Sequence, residues 1–174
     1  MLLLLIARNT LLANPADCYI ILLSDRGPME AIVWKKYKII SDPSEVSDFL
    51  GDTPSPFNLA TDYKTFCVKN PDELAITVAS ELDKGGPRKD VCRIKGSLQG
   101  PCILKIRCQD DGNGKGKSQG LRAYVLVIPI LATAVILGIR NHTKGSQKRT
   151  TLLPKDDKML DQLYSSIIDS LETI

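Results

Sequence analysis

The sequence predicts an α+β domain built on an antiparallel sheet of five or six strands, with helices on its faces. Three features carry this expectation. Residues 123–139 form an apolar run that divides into two extended halves. Two β-patterned segments, Cys18–Ser24 and Ala31–Ile40, are separated by Asp25-Arg-Gly-Pro28, which is turn chemistry. The final twenty residues repeat Leu160, Leu163, Ile167, Leu171 and Ile174 at helical spacing.

Each element follows in chain order. Residues 2–13 read as a short, mostly apolar helix stopped by Asn14-Pro15. The opening Met1-Leu-Leu-Leu-Leu-Ile-Ala-Arg8 lacks a basic leader and is a poor signal peptide. The compact run Cys18–Ser24 favours a strand by length and β-branching. Ala31–Ile40, with Trp34 and Tyr37, is its expected hairpin partner. Residues 41–62 contain Pro43, Gly51, Pro54, Pro56 and several acids. They read mostly as loop, with one helical turn near Glu45–Leu50. Lys64–Lys69 reads as a short strand.

Asn70-Pro71-Asp72-Glu73 is a helix start: a capping residue, proline at the first position and acids in the first turn. Leu74, Val78 and Leu82 give the helix one buried stripe, and Gly85-Gly86-Pro87 ends it. Pro101–Cys108 alternates well enough for a strand. Residues 109–120 are polar and glycine-rich, without periodicity, and are expected to form a flexible loop within one domain covering 1–174. The closing helix starts near Pro154, with Asp156 and Asp157 in its first turn, where the helix dipole favours negative charge.

Residues 123–139 pose a choice. They are seventeen residues without a charge, the lower limit of the roughly 17–25 that cross a bilayer as a helix. Pro129 sits within them, and eight of the seventeen are Val, Ile or Thr. A buried pair of central strands reversing near Ala132-Thr-Ala134 has the same hydropathy. The strand reading is preferred, and a membrane span is the competing one. Asn141-His-Thr143 matches a glycosylation acceptor, a tripeptide without meaning on the strand reading.

Composition limits the function classes. The chain has 174 residues, 43% apolar and 25% charged, as in an ordinary globular domain. A net charge of +3 does not by itself call for a polyanionic partner. Residues 84–122 do carry ten Lys or Arg against three Asp, but no aromatic residue for base stacking. A solvated basic rim is therefore expected, not a nucleic-acid surface. Five cysteines at irregular spacing and a single histidine, His142, do not make a zinc pattern. Most of the cysteines lie in or beside apolar runs, and they read as small buried thiols in the cytoplasm or another reducing compartment. Gly112-Asn-Gly-Lys-Gly116 is a connector and not a phosphate cradle, and no Ser/His/Asp set is credible.

The order of elements resembles that of a GAF domain over most of the chain. Ala16–Asp25 and Glu30–Tyr37 look like its opening strands. The helix at 71–83 resembles the one flanking its ligand pocket. Val127-Ile-Pro-Ile130 and Val135-Ile-Leu-Gly-Ile139 look like its last central strands, and the final helix like the one behind its sheet. By that resemblance, the cyclic-nucleotide signature of the family falls on Asn141, His142, Leu152, Asp156 and Asp157. Histidine then replaces its lysine, leucine its phenylalanine and aspartate its glutamate. Asn141, His142, Asp156 and Asp157 are the ligand-binding candidates this implies, beside the plain reading of both aspartates as helix caps.

The resemblance implies a non-enzymatic regulatory or interaction domain. A small ligand would bind between the sheet and helix 71–83. The signal would pass to a partner or effector protein, with homodimerisation through the terminal helices. No cofactor is indicated. One alternative is a membrane-anchored assembly factor spanning at 123–139; the rhythm of the C-terminal part is similar to GAF-like plastid factors for cytochrome-complex assembly. Another is a cysteine-dependent reductase, since one GAF-like branch reduces methionine sulfoxide with active-site thiols. The cysteines here lack that branch's surroundings, and on a strand Arg93 and Cys92 point to opposite faces.

Overall fold

A computed structural model describes residues 37–68, 70–85, 89–97, 99–108, 120–141 and 152–172. The expected helix at 2–13, the strand at 18–24, Trp34, the loop at 109–119 and His142 lie outside these residues. The described strands are β1 (Lys38–Ile40), β2 (Val91–Gly96), β3 (Cys102–Arg107), β4 (Leu121–Ile128) and β5 (Thr133–Asn141). The helices are α1 (Pro43–Leu50), α2 (Leu59–Thr65), α3 (Pro71–Asp83) and α4 (Pro154–Glu172).

The α+β class holds. The sheet is five-stranded, in the order β1-β5-β4-β3-β2. The expectation of a purely antiparallel sheet is corrected. β2, β3, β4 and β5 pair antiparallel, but β1 joins β5 in parallel, with Lys38 opposite Thr133 and Ile40 opposite Val135. About half of the chain, residues 41–132, separates these two strands, and a long crossover permits parallel pairing where a tight hairpin cannot.

Residues 123–139 are two strands. All eight residues of β4 are buried, which requires cover on both sheet faces. Pro129–Leu131 forms one 3-10 turn, and Ala132 takes a left-handed conformation with φ 45° to complete the reversal. Thr133 Oγ1 donates to the Leu131 carbonyl at 2.9 Å and satisfies the corner. A helical crossing by this segment is therefore overturned. Among the described residues no helix is long and apolar enough to cross a membrane.

Residues 41–65 hold more helix than their prolines suggest. Asp42 Oδ1 accepts from the Ser44 and Glu45 amides at 2.8 and 3.2 Å and also from the Ser44 hydroxyl. Pro43 occupies the first helical position, where a missing N–H costs nothing. Val46 and Phe49 are the buried side of α1. The strand expected at Lys64–Lys69 is not formed. Asn58 caps α2 by accepting from the Thr61 amide at 2.9 Å. Leu59, Asp62, Tyr63 and Phe66 are all buried, at spacings of three, four and seven. That period belongs to a helix and overrides the brief alternation of Phe66 and Val68.

Helix α3 forms as expected. Asn70 accepts from the Asp72 amide at 3.1 Å, and Leu74, Val78 and Leu82 are buried. Gly85 takes φ +66° just beyond its end, a backbone shape that favours glycine. In α4, Leu160, Leu163 and Ile167 are buried, as their spacing predicts.

Side-chain alternation assigns the layers. Tyr124 stands opposite Gly138, and Phe57 packs over both. The register places Lys95, Ile103 and Leu126 on this same face. Helix α4 lies over it: Lys95 reaches Asp157 at 3.3 Å and Asp161 at 2.7 Å, and the Tyr164 hydroxyl donates to the Pro101 carbonyl at 2.9 Å. Cys102 has the opposite parity. Helix α3 packs against β1, and the burial of every β4 residue shows that this second face is covered too. The sheet is thus the middle of three layers.

Candidate functional site

Of the four residues singled out by the family signature, His142 lies outside the described residues, and the other three are divided between β5 and the start of α4. Asn141 is the last residue of β5, in register with Leu121. Asp156 is buried at the start of α4, where its Oδ2 accepts from the Leu153 amide at 3.1 Å. This is the backward half of a capping box and satisfies one of the free amides of the first turn. Asp157 is exposed and faces Lys95. Adjacent positions on a helix diverge by about 100°, so the two carboxylates serve different partners.

A second cluster was not visible in the sequence. Asp62, on α2, accepts from the Ile139 amide at 2.9 Å, and Arg140 Nη1 donates to both of its oxygens at 3.0 Å. Arg140 Nη2 donates to the Pro56 carbonyl at 3.0 Å, and Nη1 also reaches the Ile139 carbonyl at 2.8 Å. The guanidinium lies 4.7 Å from the Phe57 ring centre, and Phe57 lies 4.8 Å from the Tyr124 ring. Gly138 makes this approach feasible, because a Cβ there would stand 2.4 Å from Phe57 Cβ. The β4–β5 register shifts at this point, which places the glycine beneath the ring.

The cluster closes the edge of β5. Strand β1 covers only Thr133–Val135. Further along, the Ile139 amide points to the same side, and the Asp62 carboxylate takes the place of a neighbouring strand. Burial raises the Asp62 carboxyl above its ordinary range, against the opposing pull of the Ile139 amide and Arg140. No motif announces this pairing. The only sequence signal is Asp62 falling on the buried stripe of a helix, which becomes meaningful once 59–65 is read as helical.

The thiols divide by burial. Cys102 and Cys108 are buried as expected, whereas Cys67 and Cys92 are exposed, which corrects the reading of buried thiols for these two. Burial pushes the Cys102 thiol up to about 11, with Arg93 pulling weakly the other way. It is therefore protonated near neutrality, the opposite of what a nucleophilic thiol needs. Among the described residues no group of His, Cys, Asp and Glu is arranged to hold a metal ion.

The basic excess noted in the sequence gathers on and beside β2. Lys89 and Arg93 are exposed, Lys105 and Arg107 half-buried. Arg107 stands 3.9 Å from Asp90. Lys95 is held by the two aspartates of α4. No family model matches this chain, and no curated protein or solved structure does either.

Proposed function

We propose that this chain is a non-catalytic regulatory or interaction module of GAF type, acting through a partner protein. The observation that carries the reading is how the core handles its buried polar groups. All five buried polar side chains among the described residues hold neighbouring parts of the chain. Asp62 holds Ile139 and Arg140; Glu81 holds Lys84 at 2.7 Å; Asp156 holds the Leu153 amide. Thr133 holds the Leu131 carbonyl, and Arg122 holds the carbonyls of Gly120 and Leu121 at 3.3 and 3.1 Å. Chemistry on a substrate calls for such groups to converge on a cleft. Here they stabilise strand ends, a helix start and a corner, as in a scaffold. Helix α3, the strand pair within 121–141 and α4 follow one another as the GAF comparison has them. Its opening strands at 16–25 and 30–36 lie outside the described residues, and the parallel β1–β5 pair departs from the antiparallel sheet it implied.

On this reading a small ligand enters between the sheet and α3; of the comparison's contact candidates Asn141, His142, Asp156 and Asp157, the two aspartates start α4 on the β2 side of the sheet and stand apart from that entry. Ligand binding then biases the packing of α4, and a partner reads the change. A thermal-shift screen that includes cyclic nucleotides tests the ligand. A compound present at about 100 times its Kd raises stability by roughly 2.7 kcal/mol. A shift without turnover of the compound supports the reading. Conversion of any compound to product, abolished by alkylating the exposed Cys67 and Cys92, would replace it with the reductase alternative.

A further inference from the structure

We propose that the outer edge of β2, which ends the sheet among the described residues, is a docking site for an acidic, extended segment of a partner protein, which adds to the sheet as a further strand. This rests on the interaction-module reading and names the chemistry of the partner.

Among the described residues, β2 ends the sheet. The Arg107 amide donates to the Asp90 carbonyl at 2.8 Å. Bonded pairs alternate along an antiparallel ladder, so Cys92 and Lys105 form the next one. The backbone N–H and C=O groups of Val91 and Arg93 therefore point away from β3. The Arg93 carbonyl has a long contact from the Cys92 thiol at 3.7 Å, weak enough to yield to an amide. Two residues with outward-facing donors and acceptors make a short but regular ladder. The register shift between Arg93 and Lys95 marks its end.

Charge selects the occupant. Lys89 and Arg93 flank this ladder, Lys105 lies behind it, and none of the three is paired with an acid among the described residues. Lysine and arginine on an edge repel another copy of the same edge. They do not repel an acidic strand. The other end of β2 shows the complement at work within the chain: Lys95, beyond the register shift, is matched by Asp157 and Asp161, one helical turn apart on α4. Arg93 and Lys89 are the part of the same strand left without such a match. An added strand alternates its side chains between faces. Arg93 has the parity of Leu104 and Cys92 that of Lys105, so acids on either face of the newcomer meet a cation.

The test uses the full chain and three fluorescent ten-residue peptides. The first alternates Glu and Val. The second has the same sequence with alternate backbone nitrogens methylated on the edge-facing side. The third alternates Lys and Val. Binding is followed by anisotropy at low and physiological salt, and by hydrogen exchange. The Glu-Val peptide is expected to bind and to slow exchange of the Val91 and Arg93 amides. Arg93→Glu is expected to weaken it by about tenfold or more, with Arg93→Gln intermediate. Arg93 is exposed, and an unchanged unfolding midpoint verifies that both variants fold. Equal binding of the methylated peptide would overturn the proposal by reducing the surface to a simple charged patch. So would binding indifferent to Arg93, or none at all. A small-molecule thermal shift that survives any of these failures leaves the regulatory reading standing and removes only the β2 edge.

Discussion

Among the described residues two acid–base contacts hold helices to this sheet, and they differ in almost everything except charge. At β5, Asp62 and Arg140 meet at 3.0 Å with side chains only 11% and 12% exposed. At β2, Lys95 meets Asp161 at 2.7 Å, but the aspartate side chain is 58% exposed. The shorter contact is the weaker one energetically. Asp161 stays largely in water and Lys95 keeps 22% of its side chain exposed, so bringing them together gains little. Asp62 and Arg140 have been taken out of water, and each is the other's replacement for it. Distance describes the geometry of a salt bridge; burial determines the consequence of breaking it.

The largest expected effect follows from breaking the buried contact from one side. Arg140→Met leaves an unpaired carboxylate against Phe57 and the β5 edge. The expected cost is about 3–5 kcal/mol, read from the midpoint of urea unfolding. A loss below about 1 kcal/mol would show that the pair behaves as a surface bridge.

Next is Gly138→Ala. Its methyl group would meet Phe57 at 2.4 Å, so the ring that carries the Arg140 guanidinium must move. A cost of about 1–3 kcal/mol is expected. Phe57→Ala in the same background should relieve part of the clash, giving a non-additive double-mutant cycle.

The pH dependence sharpens the comparison further. The Asp62 carboxyl is raised by burial, so the folded chain holds this proton more firmly than the unfolded chain. Its contribution to stability is complete below the ordinary carboxylate range and declines as pH rises through the raised value. Asp62→Asn should remove this slope. Asp42, exposed at the start of α1, has the opposite sign. The Ser44 hydroxyl, then the Glu45 and Ser44 amides, lower its value. Its contribution is present above the ordinary range and is lost as pH falls through the lowered one. Urea titrations across the acid range, on wild type, Asp42→Ala and Asp62→Asn, separate the two. Slopes of the same sign in both variants would contradict this assignment.

The smallest effect is expected at the exposed contact. Lys95→Met should change stability by less than about 1 kcal/mol, and added salt should abolish the difference. The Tyr164 hydroxyl on the Pro101 carbonyl and the buried Leu160, Leu163 and Ile167 would still hold α4 in place.

The elements legible in the sequence were those with long or doubly marked patterns. Asn70-Pro71 with acids behind it specifies the start of α3, and five apolar positions specify α4. The reversal near Ala132 was legible because Pro129 and β-branching argued against a helix. Helix α1 was legible as the one turn expected near Glu45–Leu50, but its full length and α2 were obscured by Gly51, Pro54 and Pro56, which lie in the short connection between them. Strand β2 was hidden because an edge strand with Arg93, Lys95 and a register shift does not alternate cleanly. The Asp62–Arg140 contact joins residues far apart in the chain, and no local pattern encodes it. Of the signature-derived candidates, Asp156 and Asp157 also had a local meaning as first-turn acids, and Asp156 performs that role as a cap.

The parallel pairing of Lys38 with Thr133 also has a bearing on synthesis. A ribosome adds roughly 5–20 residues per second. The short strand ending at Ile40 thus leaves the exit tunnel many seconds before its neighbour Thr133–Val135 has been translated. The hairpin of residues 121–141 can close as soon as its own residues emerge, but β1 must wait for it. During that interval β1 and the apolar side of α1 have no sheet to join, and a chaperone that recognises extended apolar chain would find its binding site there.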